Sequence, residues 1–325
     1  MQTWMKRSLG VAAGVVVLLA GLATGLSAMD APLPVPTQNL PDLGASLPPA
    51  SPPSGLGFSV LKTSESQGVF EALEVGGGSW LRYRHPAHVS VLVRHPKVTF
   101  LFDTGLGRQV DQQFAANTFM DRLSFAYRNV APAVDQLAKA GWAPDRIKLI
   151  VPSHMHWDHV SALPDFPDAE VLISPTEREH ARHGHAPAFL ASQFAGVQHW
   201  RELSFKPGAY LGFDRSLDLF GDGAVVLVPL VGHTAGQVGM FLNLPSGQRY
   251  FFTGDTTWTI EGLQKPADRS WALRQVVHVD HDEATNQAAI VHVHRIMQRF
   301  PQLTVVPAHD ENVVKTLPHF PQFQE

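Results

Sequence analysis

The sequence predicts an α/β fold in which two mixed β-sheets pack face to face with helices outside, an αββα sandwich. Short apolar runs bounded by glycine, proline and polar residues fall into two groups along the chain, and helical stretches follow each group. The chain has 325 residues, of which 44% are hydrophobic. It is therefore large enough to bury the core that two packed sheets require.

The first group of apolar runs comprises FSVLK, VFEALEV, HVSVLVRH and VTFLFDTG, and each predicts a strand. The stretch NVAPAVDQLAKAG predicts a helix that places Val130, Val134, Leu137 and Ala138 on one face and ends at Gly141. The next run, IKLIVPSH, predicts a strand that leads directly into a histidine-rich loop.

The second group has the same organisation. AEVLIS predicts a strand, PTEREHARHG a helix, and AVVLVPLVGH, QVGMFLNL and QRYFFTGD three further strands. A long helix is expected near Glu283 to Phe300, followed by a last strand in LTVVPAH. Three of these five strand runs end in a histidine or an aspartate.

Residues 1–28 predict a signal peptide or a membrane anchor. Lys6 and Arg7 precede an apolar run from Leu9 to Leu26, and the small residues of SA follow, which is the order found in secretory signals. The run also approaches the length needed to span a bilayer, so an uncleaved anchor is the alternative to cleavage after Ala28. The protein is expected to be exported, periplasmic or secreted, and to contact the membrane only through residues 9–26 if this segment is not cleaved.

Residues 29–56 are rich in proline. Eight prolines lie between Ala31 and Pro53, too many for the segment to join a sheet, so it predicts an extended linker or an arm that wraps the domain. No second proline-rich break follows. Residues 57–325 are therefore interpreted as one domain.

Composition excludes several classes of function. Lysine and arginine number 25 against 29 acidic residues, a net charge of -4, which gives no basic surface for nucleic acid and favours a small-molecule substrate. The chain has no cysteine, so disulfides, thiolate ligands and a cysteine nucleophile are excluded. A transition metal must be held by histidine, aspartate or glutamate. A homodimer is left open.

The loop HMHWDH carries the densest group of metal-ligand residues. His154 and His156 alternate along an extended segment and can face one point, whereas Asp158 and His159 follow as the chain turns and can face a second. Zinc accepts imidazole nitrogen and carboxylate oxygen, and a catalytic zinc has about three protein ligands. Two ions therefore need more ligands than this loop supplies. The candidates lie at the ends of later strands: His233, Asp255 and His309.

With these motifs the chain resembles the metallo-β-lactamase superfamily. HMHWDH, GHT, TGD and PAHD match its metal motifs in order, and FDTG matches its upstream strand end, over about residues 57–320. The resemblance implies two zinc ions. One would be held by His154, His156 and His233, the other by Asp158, His159 and His309. Asp255 would bridge them, and Asp103 would support the loop through hydrogen bonds to the ligands.

Within the superfamily, FTGDTTW, the long helix and the terminal VPAHD are similar to the acyl-homoserine lactonases. The resemblance implies a dinuclear zinc hydrolase in which a metal-bridging hydroxide attacks a lactone carbonyl. The metal held partly by Asp158 would stabilise the leaving oxygen, and Asp255 or a metal-bound water would return the proton. Trp258 replaces the tyrosine usual in that group. It is expected to line the pocket, where either its indole N–H donates to the substrate carbonyl or its ring only packs.

Several alternatives stay open. The second interpretation is an exported phosphotriesterase-like hydrolase, or a β-lactam or ester hydrolase, of the same superfamily. The third is a non-catalytic metal-binding protein. The segment His278 to Asp282 is interpreted as a polar turn and helix N-cap rather than as a metal contact. Two histidine pairs predict solvated helix faces: His180 with His183, and His292 with His294. The aromatic residues between Phe189 and Phe213 form either a lid or part of the core.

Overall fold

The N-terminal helix α1 (Gln2–Ala28) precedes the β-sandwich. The structure is a computed structural model that describes the backbone of residues 2–325 and the side chains of residues 15–325. Across this described part, no helix is both long enough and apolar enough to cross a membrane. Met1 and the side chains of residues 2–14 lie outside the described residues, so signal peptide and anchor both remain predictions.

The first sheet has seven strands in the spatial order β6-β1-β4-β5-β7-β8-β9. Its β1, β4 and β5 are antiparallel neighbours, whereas β5, β7, β8 and β9 are parallel. The elements of this half are β1 (Gly57–Ser66), β2 (Val69–Phe70), α2 (Glu71–Glu74), β3 (Tyr83–Arg84), β4 (Ala87–His95), β5 (Val98–Phe102), α3 (Val110–Phe114), α4 (Phe119–Ser124), β6 (Tyr127–Arg128), α5 (Ala133–Lys139), β7 (Leu149–Val151), α6 (Trp157–Val160), β8 (Glu170–Ile173), α7 (Pro175–His183) and β9 (Trp200–Glu202).

The second sheet has six strands that follow chain order from β10 to β15. All neighbours are antiparallel except β14 and β15, which are parallel because α10 returns the chain between them. The elements are β10 (Lys206–Tyr210), β11 (Phe213–Asp218), β12 (Val225–Pro229), β13 (Val238–Asn243), β14 (Arg249–Phe252), α8 (Ile260–Gln264), α9 (Trp271–Arg274), α10 (Glu283–Arg299), β15 (Leu303–Val306) and α11 (Glu311–Val314). Two mixed sheets with helices confirm the predicted fold class.

Side-chain alternation along the strands produces the layers. Phe100 and Phe102 of β5 pack in the core between the sheets, while Leu101 packs in the cluster under α5 and α7. In the second sheet Met240 faces the inter-sheet core and Phe241 packs against α10. The central strands of each sheet are thus buried on both faces, and each fully buried large side chain contributes about 1.5–3 kcal/mol.

Two local predictions were wrong. VFEALEV is not one strand, because Glu71 begins a short helix and its buried carboxylate accepts from Ser79 N at 2.9 Å. Val130 lies before α5, which starts after Pro132, since proline has no N–H for a helix interior. Ala138 is exposed, so only Val134 and Leu137 of the predicted face are buried.

Residues 29–56 form no regular element but lie along the second half of the molecule. Leu43 is buried in the cluster that includes Ile290 of α10. Leu33 N donates to Pro266 O at 2.7 Å, and Ser51 N donates to Asp222 O at 2.8 Å. The prolines are accommodated because these contacts use isolated backbone groups rather than a continuous ladder.

Candidate metal centre

Asp103 fixes the start of the histidine loop. It follows β5, the parallel neighbour of β7, so both strands end at the same edge of the sheet. Its Oδ1 accepts from Ser153 N at 2.6 Å, and its Oδ2 accepts from His159 Nδ1 at 3.0 Å. Asp103 has a φ of 58°, a left-handed conformation that aspartate tolerates better than most residues. One carboxylate therefore orients both the loop and one of its histidines.

The first cluster joins the histidine loop to the end of β12. The ligand atoms of His154, His156 and His233 lie within 4.8 Å of one another. His156 Nδ1 and His233 Nε2 are 3.0 Å apart. Buried His154 Nε2 has no hydrogen-bond partner among the described residues. Three imidazole nitrogens thus converge on one point.

The second cluster joins the same loop to the end of β15. His309 Nε2 lies 3.3 Å from Asp158 Oδ2 and 3.3 Å from His159 Nε2. His159 Nε2 is 3.7 Å from Asp158 Oδ2. Two imidazoles and one carboxylate thus converge on a second point.

Asp255 lies between the two clusters. Its Oδ2 is 3.1 Å from His309 Nε2 and 3.6 Å from His233 Nε2, while its Oδ1 is 3.2 Å from His159 Nε2. The residue follows β14 and is 4% exposed. Its backbone N donates to Gln237 Oε1 at 3.1 Å, which fixes the turn. The structure therefore brings all seven predicted ligand residues together, with one carboxylate touching both clusters.

The charges of the centre suit divalent cations. Burial and neighbouring imidazoles hold the pKa of His154 and of His156 well below the ordinary value, so both present lone pairs. Burial also opposes ionisation of Asp255, but His309 and His159 outweigh it and lower the pKa of this carboxyl. Converging imidazole nitrogens and carboxylate oxygens, with the unpartnered buried Nε2 of His154, form a donor set that zinc prefers.

Asp280 is a site residue that the sequence analysis missed. Its Oδ1 accepts from His233 Nδ1 at 2.9 Å, and Arg269 Nη1 donates to it at 2.9 Å. The N-cap interpretation does describe Asp282, which accepts from Thr285 N at 2.9 Å and starts α10. The sequence analysis did not foresee the contact of Asp280 with His233, because the two residues are 47 positions apart and no local pattern marks the pair.

Trp258 lines the cavity above the centre, but its indole N–H is engaged. Nε1 donates to Asp255 Oδ2 at 3.0 Å. The guanidinium carbon of Arg269 lies 4.8 Å from the centre of the indole ring. The N–H therefore orients the shared carboxylate in this structure, rather than pointing at a substrate carbonyl.

The centre forms the floor of a cavity of about 310 Å³. Its walls are mainly apolar, with contributions from Leu73, Leu123, Phe125, Pro187 and Val277. A polar floor with apolar walls is suited to a small amphiphilic molecule, whose polar end reaches the ligands.

The two histidine pairs that were predicted to lie on solvated helix faces have different surroundings. His183 is exposed beside Glu179, as the solvated-face prediction requires, and His180 packs partly buried against Phe189. The prediction was wrong for the other pair, because His292 Nε2 lies 3.0 Å from Leu211 O and His294 Nδ1 lies 2.8 Å from Leu263 O. Both side chains dock α10 onto its neighbours.

Of the aromatic residues proposed as a lid, Phe189 and Phe213 are buried. Phe189 packs 4.8 Å from the ring of His156. Phe213 belongs to the cluster under α10. These two residues are therefore part of the core.

The fold and the ordered ligands define a class of protein. The sequence profile of the metallo-beta-lactamase superfamily matches residues 83–309. The chain therefore belongs to the metallo-beta-lactamase superfamily and is a hydrolase of that superfamily.

Several of the individual proteins that this chain resembles are lactonases. The chain is 27% identical over 195 residues to the N-acyl homoserine lactonase AttM of Rhizobium radiobacter, covering 58% of this chain and 68% of that protein. A mutant of AiiA from B. thuringiensis, with N-decanoyl-L-homoserine at its active site, superposes with a TM-score of 0.63 at 16% identity over 82% of this chain and 98% of that one.

A second solved structure has the same fold as this chain. An N-acyl homoserine lactone hydrolase with the product N-hexanoyl-L-homoserine at its catalytic metal centre gives a TM-score of 0.62 at 16% identity, over 83% of this chain and 98% of that one. At this identity the likeness establishes the fold. Together the relatives identify a hydrolase that resembles acyl-homoserine lactonases.

Proposed function

We propose that this protein is a dinuclear zinc lactonase that opens acyl-homoserine lactone rings. The observation that carries the proposal is Asp255, whose carboxylate touches both ligand clusters on the floor of a cavity with apolar walls. His154, His156 and His233 would hold one ion and Asp158, His159 and His309 the other. Bound there, two divalent ions supply an activated water near neutral pH and polarise the substrate carbonyl.

The chain's own side chains perform the remaining tasks. Asp255 keeps the two clusters at a fixed separation and is itself held by Gln237 and Trp258. Asp255 lines the cavity, and its carboxylate is proposed to take a proton from the attacking water and to pass it to the leaving ring oxygen. The apolar walls would take the acyl chain and exclude water from the reacting carbonyl.

We also propose that the protein acts outside the cytoplasm. Residues 1–28 have the charged and then apolar order of a secretory signal. Cell fractionation with N-terminal sequencing distinguishes a cleaved signal from a retained anchor. Recovery of uncleaved protein in the cytoplasm would contradict export.

A substrate panel on purified, zinc-loaded protein tests the reaction. We expect about two ions per chain, and acid release in a pH-stat with acyl-homoserine lactones of several chain lengths. A phosphotriester, a β-lactam and a thioester serve as competing substrates. If every lactone is inert while one of these turns over in a metal-dependent way, the lactonase proposal is wrong and the corresponding hydrolase replaces it.

The matched variants are Asp255→Asn and Asp222→Asn. Asp255→Asn should lower kcat/KM by more than about 100-fold, because even residues that only support metal ligands are worth 10–100-fold. Asp222 pairs with His95 at the far end of β4, so its variant should retain activity. Full activity and full metal content in Asp255→Asn would contradict the bridging role.

A further inference from the structure

His88 lies beside the second cluster although it belongs to none of the superfamily motifs. It is the second residue of β4, next to Ala87, whose N donates to His309 O at 3.0 Å. Ala87 O in turn lies 2.8 Å from His309 Nδ1. These two contacts fix the start of β4 to the His309 loop. His88 is 6% exposed and lines the cavity.

The His88 ring is held in the same way as the rings of the ligand histidines. Its Nδ1 lies 2.6 Å from Ser64 Oγ, and its backbone O accepts from Thr63 Oγ1 at 3.0 Å. Each of four ligand histidines likewise has Nδ1 next to an oxygen: His154 next to Ser153, His159 next to Asp103, His233 next to Asp280 and His309 next to Ala87. Such a contact fixes the tautomer and directs Nε2 towards a metal.

The Nε2 of His88 is within reach of an ion in the second cluster. It lies 3.8 Å from Asp158 Oδ2, and the ligand atoms of His88, Asp158 and His309 all lie within 4.8 Å of one another. Two donors that are each about 2.0–2.1 Å from one zinc ion are up to about 4 Å apart. A small movement of the imidazole therefore suffices for shared ligation.

No other described group within hydrogen-bond distance uses this nitrogen. The nearest rings are those of Trp157 and His309, at 5.8 and 5.6 Å between centres, and both meet His88 edge to face. His88 also lines the cavity. Its Nε2 is therefore available to an ion bound at the second cluster.

We infer that His88 is a further ligand of the ion held by Asp158, His159 and His309. The inference rests on the proposed two-metal centre but not on a lactone substrate. With Asp255 this ion would have five protein donors, against four for the ion at His154, His156 and His233. Because a catalytic ion needs an open position, water and substrate would then bind mainly on the side of the first ion.

Metal affinity in paired variants tests the inference. His88→Gln should lower the affinity for the second ion by about tenfold or more in competition with a chelator, and leave the first ion in place. His95→Gln is the matched control, since His95 is a buried histidine of the same strand that pairs with Asp222. The affinities of His95→Gln for the first and the second ion should equal those of the wild type.

A spectroscopic variant locates position 88 directly. The chain has no cysteine, so in His88→Cys a sulfur-to-cobalt charge-transfer band can arise only from this position. We expect the band when both sites are filled with Co²⁺. Unchanged second-ion affinity in His88→Gln would overturn the inference. Failure of the wild type to bind two ions would instead overturn the proposed dinuclear centre.

Discussion

Trp258 lies next to the predicted metal ligands and positions one of them, Asp255. Its ring lines the cavity, yet its N–H donates to Asp255 Oδ2. Hydrogen bonds to charged groups contribute about 1.5–3 kcal/mol. The indole therefore helps to fix the carboxylate that joins the two clusters.

Trp258→Phe retains an aromatic ring and removes the N–H. We expect kcat to fall by about tenfold or more, with little change in KM, because the N–H contacts Asp255 and not the substrate. Steady-state kinetics on one lactone measures both constants. A large rise in KM at constant kcat would instead mean that the Trp258 N–H donates a hydrogen bond to the substrate.

Glu74 is a buried carboxyl group close to the centre. It is 2% exposed, and neither carboxylate oxygen has a hydrogen-bond partner among the described residues. Burial raises its pKa to about 8, with Glu311 and Asp310 acting in the same direction and Arg84 and His309 opposing. The group is therefore mainly protonated at pH 7.

Glu74→Gln should make the protein less sensitive to alkaline pH. The folded-state pKa of about 8 exceeds the unfolded value of 4.5, so the contribution of Glu74 to wild-type stability is most favourable below pH 4.5 and falls as the pH rises towards 8. Glutamine does not titrate. Relative to the wild type, the variant should gain stability over this range, on the order of 4 kcal/mol by pH 8.

Urea unfolding at pH 5, 6.5 and 8 in the presence of a chelator measures this gain. Glu202→Gln, at an exposed position of β9, is the control and should follow the wild type. A stability difference between Glu74→Gln and wild type that is the same at all three pH values would mean that Glu74 is ionised in the folded protein.

At the scale of elements, Arg84 connects β3 to three helices. Its side chain is 1% exposed and pairs with Glu311 at 2.7 Å, Glu71 at 3.1 Å and Asp310 at 3.2 Å. A further contact of 3.3 Å reaches Glu261 of α8. Because Asp310 directly follows His309, this network holds the loop that carries the last predicted ligand.

Arg84→Met should destabilise the protein by about 3–5 kcal/mol, because it leaves buried carboxylates without a counter-charge. Arg82→Met is the control. Arg82 also pairs with Glu71, but its side chain is 57% exposed, so its loss should cost no more than about 1 kcal/mol. Urea unfolding compares the two variants. Equal losses of unfolding free energy in Arg84→Met and Arg82→Met would show that burial does not determine the strength of these ion pairs.

The elements that the sequence predicted well are those with a strong local signal. Helix α10 has an apolar face and an aspartate N-cap, and it spans Glu283–Arg299 where Glu283 to Phe300 was expected. VFEALEV has an equally apolar pattern, but Glu71 turns inward to Arg84 and ends the strand after two residues. A long-range ion pair overrode the local preference there.

At the scale of the whole molecule, the centre forms where both sheets end. Asp103 and the histidine loop follow β5 and β7 of the first sheet, while His233, Asp255 and His309 follow strands of the second. Val238 N donates to Ser153 O at 2.8 Å and thereby ties β13 to the histidine loop. Neither sheet alone supplies a complete ligand set, so the centre depends on the packing of the sandwich.

The sequence by itself determined the fold class and the ordered set of seven candidate ligands. Strand periodicity and the spacing within HMHWDH are local properties, so they can be read without a structure. Only the tertiary structure decided that Asp280 orients His233, that the Trp258 N–H contacts Asp255, and that His88 faces the second cluster. These relations join residues on separate strands and loops, and their distances are set by packing rather than by spacing along the chain.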